Sequence, residues 1–263
     1  MVGVSPTRTK VTTIKAARGE VPATLFREAV YWLHKALHVL GASEAQVSNG
    51  LPTWSLSVAY QGAFFSARSI MSFLGVGVAE IDQTSVCGDI CRDMQGLRPQ
   101  LLAEIGAFEE ETSFHTVGSR FEHIHIWRLF QRLLRITSCD IWPAGWANYL
   151  AQVDVSEITK QRHRLHYKLT YWVTDDLHTF LYPDSFRDVT PSGEGRNLFD
   201  AVKDNFSLTL AFSVTRLALM LFSDLSRMTN RLTDERDIMD RCLSPERHPL
   251  FVDTLREHAG LPT

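Results

Sequence analysis

Cysteine is scarce in this chain: Cys87, Cys91, Cys139 and Cys242 are the only four in 263 residues. So few, and so scattered, they exclude a disulfide-stapled scaffold and lead us to expect free thiols in a reducing cytosol. A dominant sign of charge is also missing. Lys and Arg number 27 against 30 Asp and Glu, a net charge of −3, so any nucleic-acid contact must come from a local patch rather than from an overall cationic field. The first twenty residues are basic and hydroxyl-rich but carry no apolar stretch of the secretory type. There is no glycine-rich phosphate loop, no nucleophile elbow and no His-Glu-x-x-His, which removes the chemistries those motifs support. Cys87 and Cys91 lie four apart with His115, His123 and His125 downstream. Zinc sites bring tightly paired ligands at both ends, however, and neither a metal nor a cofactor is expected here. Internal repeats and low-complexity tracts are absent.

Long hydrophobic runs reduce to one, FSLTLAFSVTRLALMLFS from Phe206 to Ser223. Arg216 sits near its middle, where a bilayer would penalise it by about 3 kcal/mol. A buried core or subunit-interface helix is therefore expected, and no membrane partner.

What is present is ordinary globular material, 44% hydrophobic and 22% charged, sufficient for a sizeable core. Helical periodicity dominates. Phe26, Ala29, Leu33, Ala36 and Leu40 share one face and predict a helix over 23–40, with Gly41 as its stop. Ser48, Asn49, Gly50 and Pro52 mark a connection. Leu56, Tyr60, Ala63, Ala67, Ile70 and Leu74 predict a second helix over 53–74, whose small central residues suit a close helix crossing. The span 75–96 breaks the period and reads as loop. Further helices are expected over 97–111, 120–136 and 155–175, then a long loop over 181–196, a long helix over 198–229, and one or two short helices in the tail from 234 to 263. The expected class is all-α: an N-terminal arm at 1–20, either flexible or a short edge element, a helical bundle over 21–178, and a C-terminal helical extension over 179–263.

The stretch AYQGAFFSARSIMSFLGV, Ala59 to Val76, resembles the second core helix of HEPN domains. Ala59-Tyr60, Phe64-Phe65, Ala67-Arg68 and Gly75 carry that likeness. AVYWLHKAL (29–37) is similar to the first HEPN helix, and RHRLHY (162–167) to the Arg-polar-x-x-His region that opens the fourth. The resemblance covers roughly 23–175. It implies an up-down bundle of four or five helices that dimerises through them. Many members are metal-independent ribonucleases with an Arg/His motif from each subunit; others are regulatory or assembly modules.

By that resemblance Arg162 and His166 are the catalytic candidates, with His163 in the polar position. Three residues separate Arg162 from His166, one fewer than the family pattern. On a helix, residues four apart still share a face. The histidine would move a proton during 2′-hydroxyl attack and the arginine would hold the phosphate. Arg120 with His125, Arg27 with His34, and Arg241 with His248 also match Arg/His spacings. A separate feature is the row His125, Arg128, Arg132 and Arg135, a basic stripe suited to a phosphate backbone. Lys160, Arg164 and Lys168 would join it if they face the same groove. The expected partners are RNA, a second copy of the chain, or another protein. The sequence leaves two readings open: an interaction or RNA-binding module, and a metal-independent endoribonuclease.

Overall fold

The structure is a computed structural model that describes residues 13–17, 20–49, 51–81, 84–89, 111–116, 123–137, 148, 150–167, 196–229, 233–248 and 252–261. Seven helices dominate the described residues: α1 (Glu20–Ser48), α2 (Pro52–Phe73), α3 (His123–Thr137), α4 (Val155–Tyr167), α5 (Arg196–Thr229), α6 (Thr233–Cys242) and α7 (Val252–Ala259). The fold class is all-α. The expected helix over 97–110 and loop over 181–195 lie outside the described residues, as does 168–175, the end of the expected fourth helix.

The chain divides into two compact units: 1–28 with 71–122, and 29–70 with 123–263. In the first unit the expected loop is replaced by a small antiparallel sheet. β1 (Thr13–Ala17), β2 (Val76–Ile81), β3 (Thr84–Asp89) and β4 (Glu111–Thr116) run in the order β1-β4-β3-β2. β1 is an edge strand, one of the two alternatives for the N-terminal arm. Val76 and Val78 alternate with Gly77 and Ala79, a period of two, and both valines are buried. That pattern corrects the loop reading over 76–81 and 84–89, while 82–83 and 90–96 lie outside the described residues, and Glu111 begins a strand rather than ending a helix. Gly75, at φ 84°, ends α2 in a left-handed conformation that favours glycine, its amide donating to the Ser72 carbonyl at 3.1 Å. Phe26 and Phe73 meet edge to face at 5.4 Å.

The second unit is helical in all its described elements. α2 is buried almost all round. Ala59, Ala63, Ala67 and Ser66 have no exposure, and Gly62 lies close to α1 at the Ala36 carbonyl and Leu40. Buried hydroxyls on α2 must find partners. Ser66 and Thr215 of α5 share a hydrogen bond at 2.8 Å, Ser69 donates to the Ala29 carbonyl at 2.8 Å, and Ser43 donates to the Ser55 carbonyl at 2.8 Å.

α5 carries the long apolar run. Ser207–Arg227 has a mean hydropathy of 1.5, and 89% of its apolar window is buried inside the structure. Its hydroxyls turn inward too, Ser213 donating to the Thr209 carbonyl at 2.6 Å. Arg216, Met220, Asp224 and Arg227 form its less buried edge. Burial pushes the Arg216 pKa down to about 10, and Glu257 of α7 acts in the opposite direction. α7 packs on α5.

α1 continues to Ser48, eight residues past the expected end at Leu40. Gly41 is no helix stop. A Cβ built there would clash with the Arg247 carbonyl oxygen and stand 3.3 Å from the His248 ring, so glycine serves close approach. One turn on, Glu44 Oε1 meets His248 Nδ1 at 2.8 Å, with both side chains almost fully buried. His248, one of the histidines at an Arg/His spacing, thus belongs to the core.

Ordinary helix propensity would make Gly41→Ala stabilising by about 1 kcal/mol. The backbone clash reverses the sign, and we expect a net destabilisation of about 1–3 kcal/mol in urea titrations. Unchanged or raised stability would show that the Arg247 segment is not held against α1. Ala63→Leu should overpack the α2 surroundings by a similar amount, about 1–3 kcal/mol.

Candidate functional site

Helical spacing builds the site. Tyr60, Phe64 and Arg68 lie four apart on α2, and His123 and Trp127 lie four apart on α3. Phe64 stacks on the His123 ring, centroids 4.1 Å apart, and the Tyr60 ring lies 6.0 Å from it. Trp127 Nε1 donates to Tyr60 Oη at 3.2 Å, and Tyr60 Oη stands 3.1 Å from His123 Nδ1. An indole nitrogen is only a donor, which leaves the tyrosine hydrogen for His123. With the imidazole proton on Nε2, Nδ1 accepts from Tyr60; with it on Nδ1, Tyr60 Oη accepts from both His123 and Trp127.

The charge of Arg162, on α4, acts on Tyr60 and His123. The start of α4 is fixed from two sides. Asp154 caps it, its carboxylate accepting from the Ser156 amide at 2.8 Å and from the Ser156 hydroxyl at 2.6 Å. Those bonds hold the Asp154 carboxyl below the usual carboxylate range. From α3, Gln131 donates to the Leu150 carbonyl at 3.0 Å and to that of Val153, and Arg135 donates to the Ala151 carbonyl at 2.7 Å. Arg162 Nε is buried without a hydrogen-bond partner among the described residues.

Burial, then the charges of Arg162 and Arg68, lower the His123 pKa from its ordinary 6.5 to about 4. Burial raises the Tyr60 pKa; the Trp127 hydrogen bond and the Arg162 charge oppose that rise. At neutral pH the centre is therefore an uncharged imidazole and phenol beside two guanidinium groups. An imidazole with so low a pKa is a weak base. Two cations and an N–H donor suit an anionic oxygen better.

The cationic surface continues onto α1. Arg68 sits over the Trp32 ring at 4.1 Å, Trp32 stacks with Phe65 at 5.5 Å, and Lys35 lies over Phe65 at 4.3 Å. Each cation is thereby held on an aromatic face.

Of the sequence candidates among the described residues, Arg162 is the one whose charge acts on Tyr60 and His123. His163 follows it by one position, about 100° around the helix, and is exposed. His166 and Arg164 lie in α4, with side chains outside the described residues, and Lys168 lies beyond them; Lys160 is exposed. Arg128, Arg132 and Arg135 are exposed on α3 and His125 is half-buried, so the arginine stripe faces outward, although Arg135 is engaged with Ala151. Cys87 and His115 are register partners in the sheet, Cys91 falls outside the described residues, and no group of three or more metal-type side chains occurs among those described. Sequence reasoning did not combine His123, Tyr60, Trp127 and Arg68 with Arg162. The signal was the four-residue spacing on α2 and α3, which places each set on one face but does not say that the faces meet. No family model, curated protein or solved structure matches this chain.

The depressed His123 pKa has a stability consequence. The unfolded chain takes up this proton near pH 6.5 and the folded chain only near pH 4. The contribution is complete above pH 6.5, is lost as pH falls towards 4, and is constant below that. His123→Gln should flatten this part of the stability profile. Urea midpoints measured from pH 7 to pH 4 that run parallel for variant and wild type would refute the assignment.

Proposed function

We propose that this protein is an RNA-binding helical module that grips the phosphates of a single strand. The observation that carries this reading is the pair of cations mounted on aromatic rings, Lys35 on Phe65 and Arg68 on Trp32. Such mounting holds cations in place before a ligand arrives, so less side-chain entropy is lost on binding. The exposed Arg128 and Arg132 add a second line of positive charge. The HEPN-like pattern in α1 and α2 supports RNA as the nucleic acid and an assembly role for the bundle. Metal-independent cleavage is the second reading, favoured by the proximity of Arg162 to an imidazole. The weak basicity of His123 argues for binding over catalysis.

Filter binding of an unstructured RNA oligomer over a salt series tests the proposal. Affinity should fall steeply with salt, and Arg128→Ala with Arg132→Ala together should flatten the logarithmic slope by about 1–2, since each phosphate contact on a single strand contributes about 0.7. Lys35→Ala should weaken binding severalfold. Salt-insensitive or absent binding would sink the RNA reading. A cleavage gel run in chelator on the same samples separates the two readings: fragments from wild type that disappear in Arg162→Gln would make the protein a ribonuclease.

A further inference from the structure

We propose that Glu44 and His248 form a proton-operated latch that fastens the segment between α6 and α7 to α1. The latch does not depend on the RNA reading. Its two side chains lie 204 residues apart in the sequence, meet at 2.8 Å and are 2% and 1% exposed. Contacts on either side extend the fastening. Gly41, one turn before Glu44, lets the Arg247 backbone lie against α1. Val252, the first residue of α7, donates its amide to the His248 carbonyl at 3.1 Å, and α7 packs on α5. Movement of His248 away from α1 therefore reaches the start of α7.

Burial makes the fastening depend on protons. The pair is neutral overall only when it holds one titratable proton, as imidazolium beside carboxylate or as neutral ring beside carboxylic acid. Removing that proton leaves a buried anion, and adding a second leaves a buried cation; either is far less stable inside the fold than in water. In the one-proton pair the ring carries a hydrogen at Nε2, which is buried without a hydrogen-bond partner among the described residues. An unpaired N–H costs less than an unpaired charge. Charged neighbours are engaged elsewhere or lie in water. Glu246 and Arg247 are exposed, with Ser244 bonded to the Glu246 carboxylate and the Arg247 charge acting on Cys242. Arg256 of α7 is paired with Asp240 of α6 at 2.7 Å, and Arg227 of α5 with Asp224 at 2.8 Å. From α2, the neutral Ser55 accepts from Ser43. His34, on which Glu235 of α6 acts, lies about 15 Å back along α1. Once the latch opens, water surrounds both groups, and they titrate near the ordinary values of about 4.3 for Glu and about 6.5 for His. Between those values the open and closed forms hold equal numbers of protons, so closure is independent of pH. Above about 6.5 the open form sheds a proton that the closed form keeps, and closure weakens as pH rises.

Hydrogen exchange of the full chain, followed at the amides of Arg247, His248 and Val252, tests the latch. These amides donate to the Ser244 and His248 carbonyls and so report on the order of the segment. Their protection, corrected for the intrinsic pH dependence of exchange, should be constant from about pH 5 to 6.5. From there towards about pH 8 it should fall about tenfold per pH unit, the slope of a single proton. Glu44→Gln should reverse the sign. Without the carboxylate the closed latch requires a neutral ring, so the open form takes up a proton as pH falls. Protection in this variant should be constant above about pH 6.5 and drop about tenfold per unit below it. A hydrogen bond with a structural role alone would give no such inversion. Wild-type protection that stays flat from about pH 5 to 8 overturns the latch, and so does a Glu44→Gln profile that follows the wild type. Should Glu44→Gln fail to fold, the wild-type profile decides by itself: a one-proton fall above about pH 6.5 supports the latch, and its absence overturns it.

Discussion

A helix surrounded on nearly every side imposes the constraint on which the second unit depends. α2 has small residues where neighbours come closest, Ala59, Gly62, Ala63, Ser66 and Ala67, and these let α1 approach to backbone contact at Ala36. Small side chains bury little apolar area each, so the stabilisation comes from dense packing between helices rather than from large residues. The hydroxyls that accompany them are satisfied by neighbouring helices: Ser66 by Thr215 of α5, and Ser69 by the Ala29 carbonyl of α1. An unsatisfied hydroxyl at either place would cost as much as the bond contributes or more. α2 is thus tied by geometry and by hydrogen bonding at the same points.

The bulky part of α2 lies along Tyr60, Phe64 and Arg68, and that stripe meets α3. The same aromatic packing that fills the space around His123 also desolvates it, and desolvation is the largest cause of its lowered pKa. Packing and electrostatics are therefore one effect at this site. Arg216 of α5 makes the contrast. It too is partly buried and its pKa is lowered to about 10, but the Glu257 carboxylate acts on it from α7. Around His123, the charges that act on it among the described residues are those of Arg162 and Arg68, and both lower its pKa further.

Much of the helical layout was legible from the sequence. The 3.6-residue period in α2 and in the long α5 reflects one-sided or near-complete burial, which requires no knowledge of partners. Gly75 ended α2 as expected, and Pro52, expected in the connection, opens α2 instead, because proline is tolerated in a first helical turn where its missing N–H is not needed. Local rules failed where a residue answered to something distant. Gly41 looked like a helix terminus, yet α1 runs through it because the Arg247 backbone needs the space. The short strands of the sheet were missed because six residues alternating in a period of two give a weak signal beside helices of more than twenty.

The sequence by itself determined the all-α class and the principal helical faces. Tertiary structure alone decided which of those faces meet. Spacing along one helix fixes the angle between side chains on that helix and says nothing of which other helix arrives opposite. Arg162 and His166 share a helix at a spacing of four, and the His166 side chain lies outside the described residues; that the charge of Arg162 acts on His123, from another helix, follows only from the fold. Protonation was undetermined for the same reason. A histidine's charge depends on the water it loses and the cations that approach it, and both are properties of the assembled helices rather than of the chain.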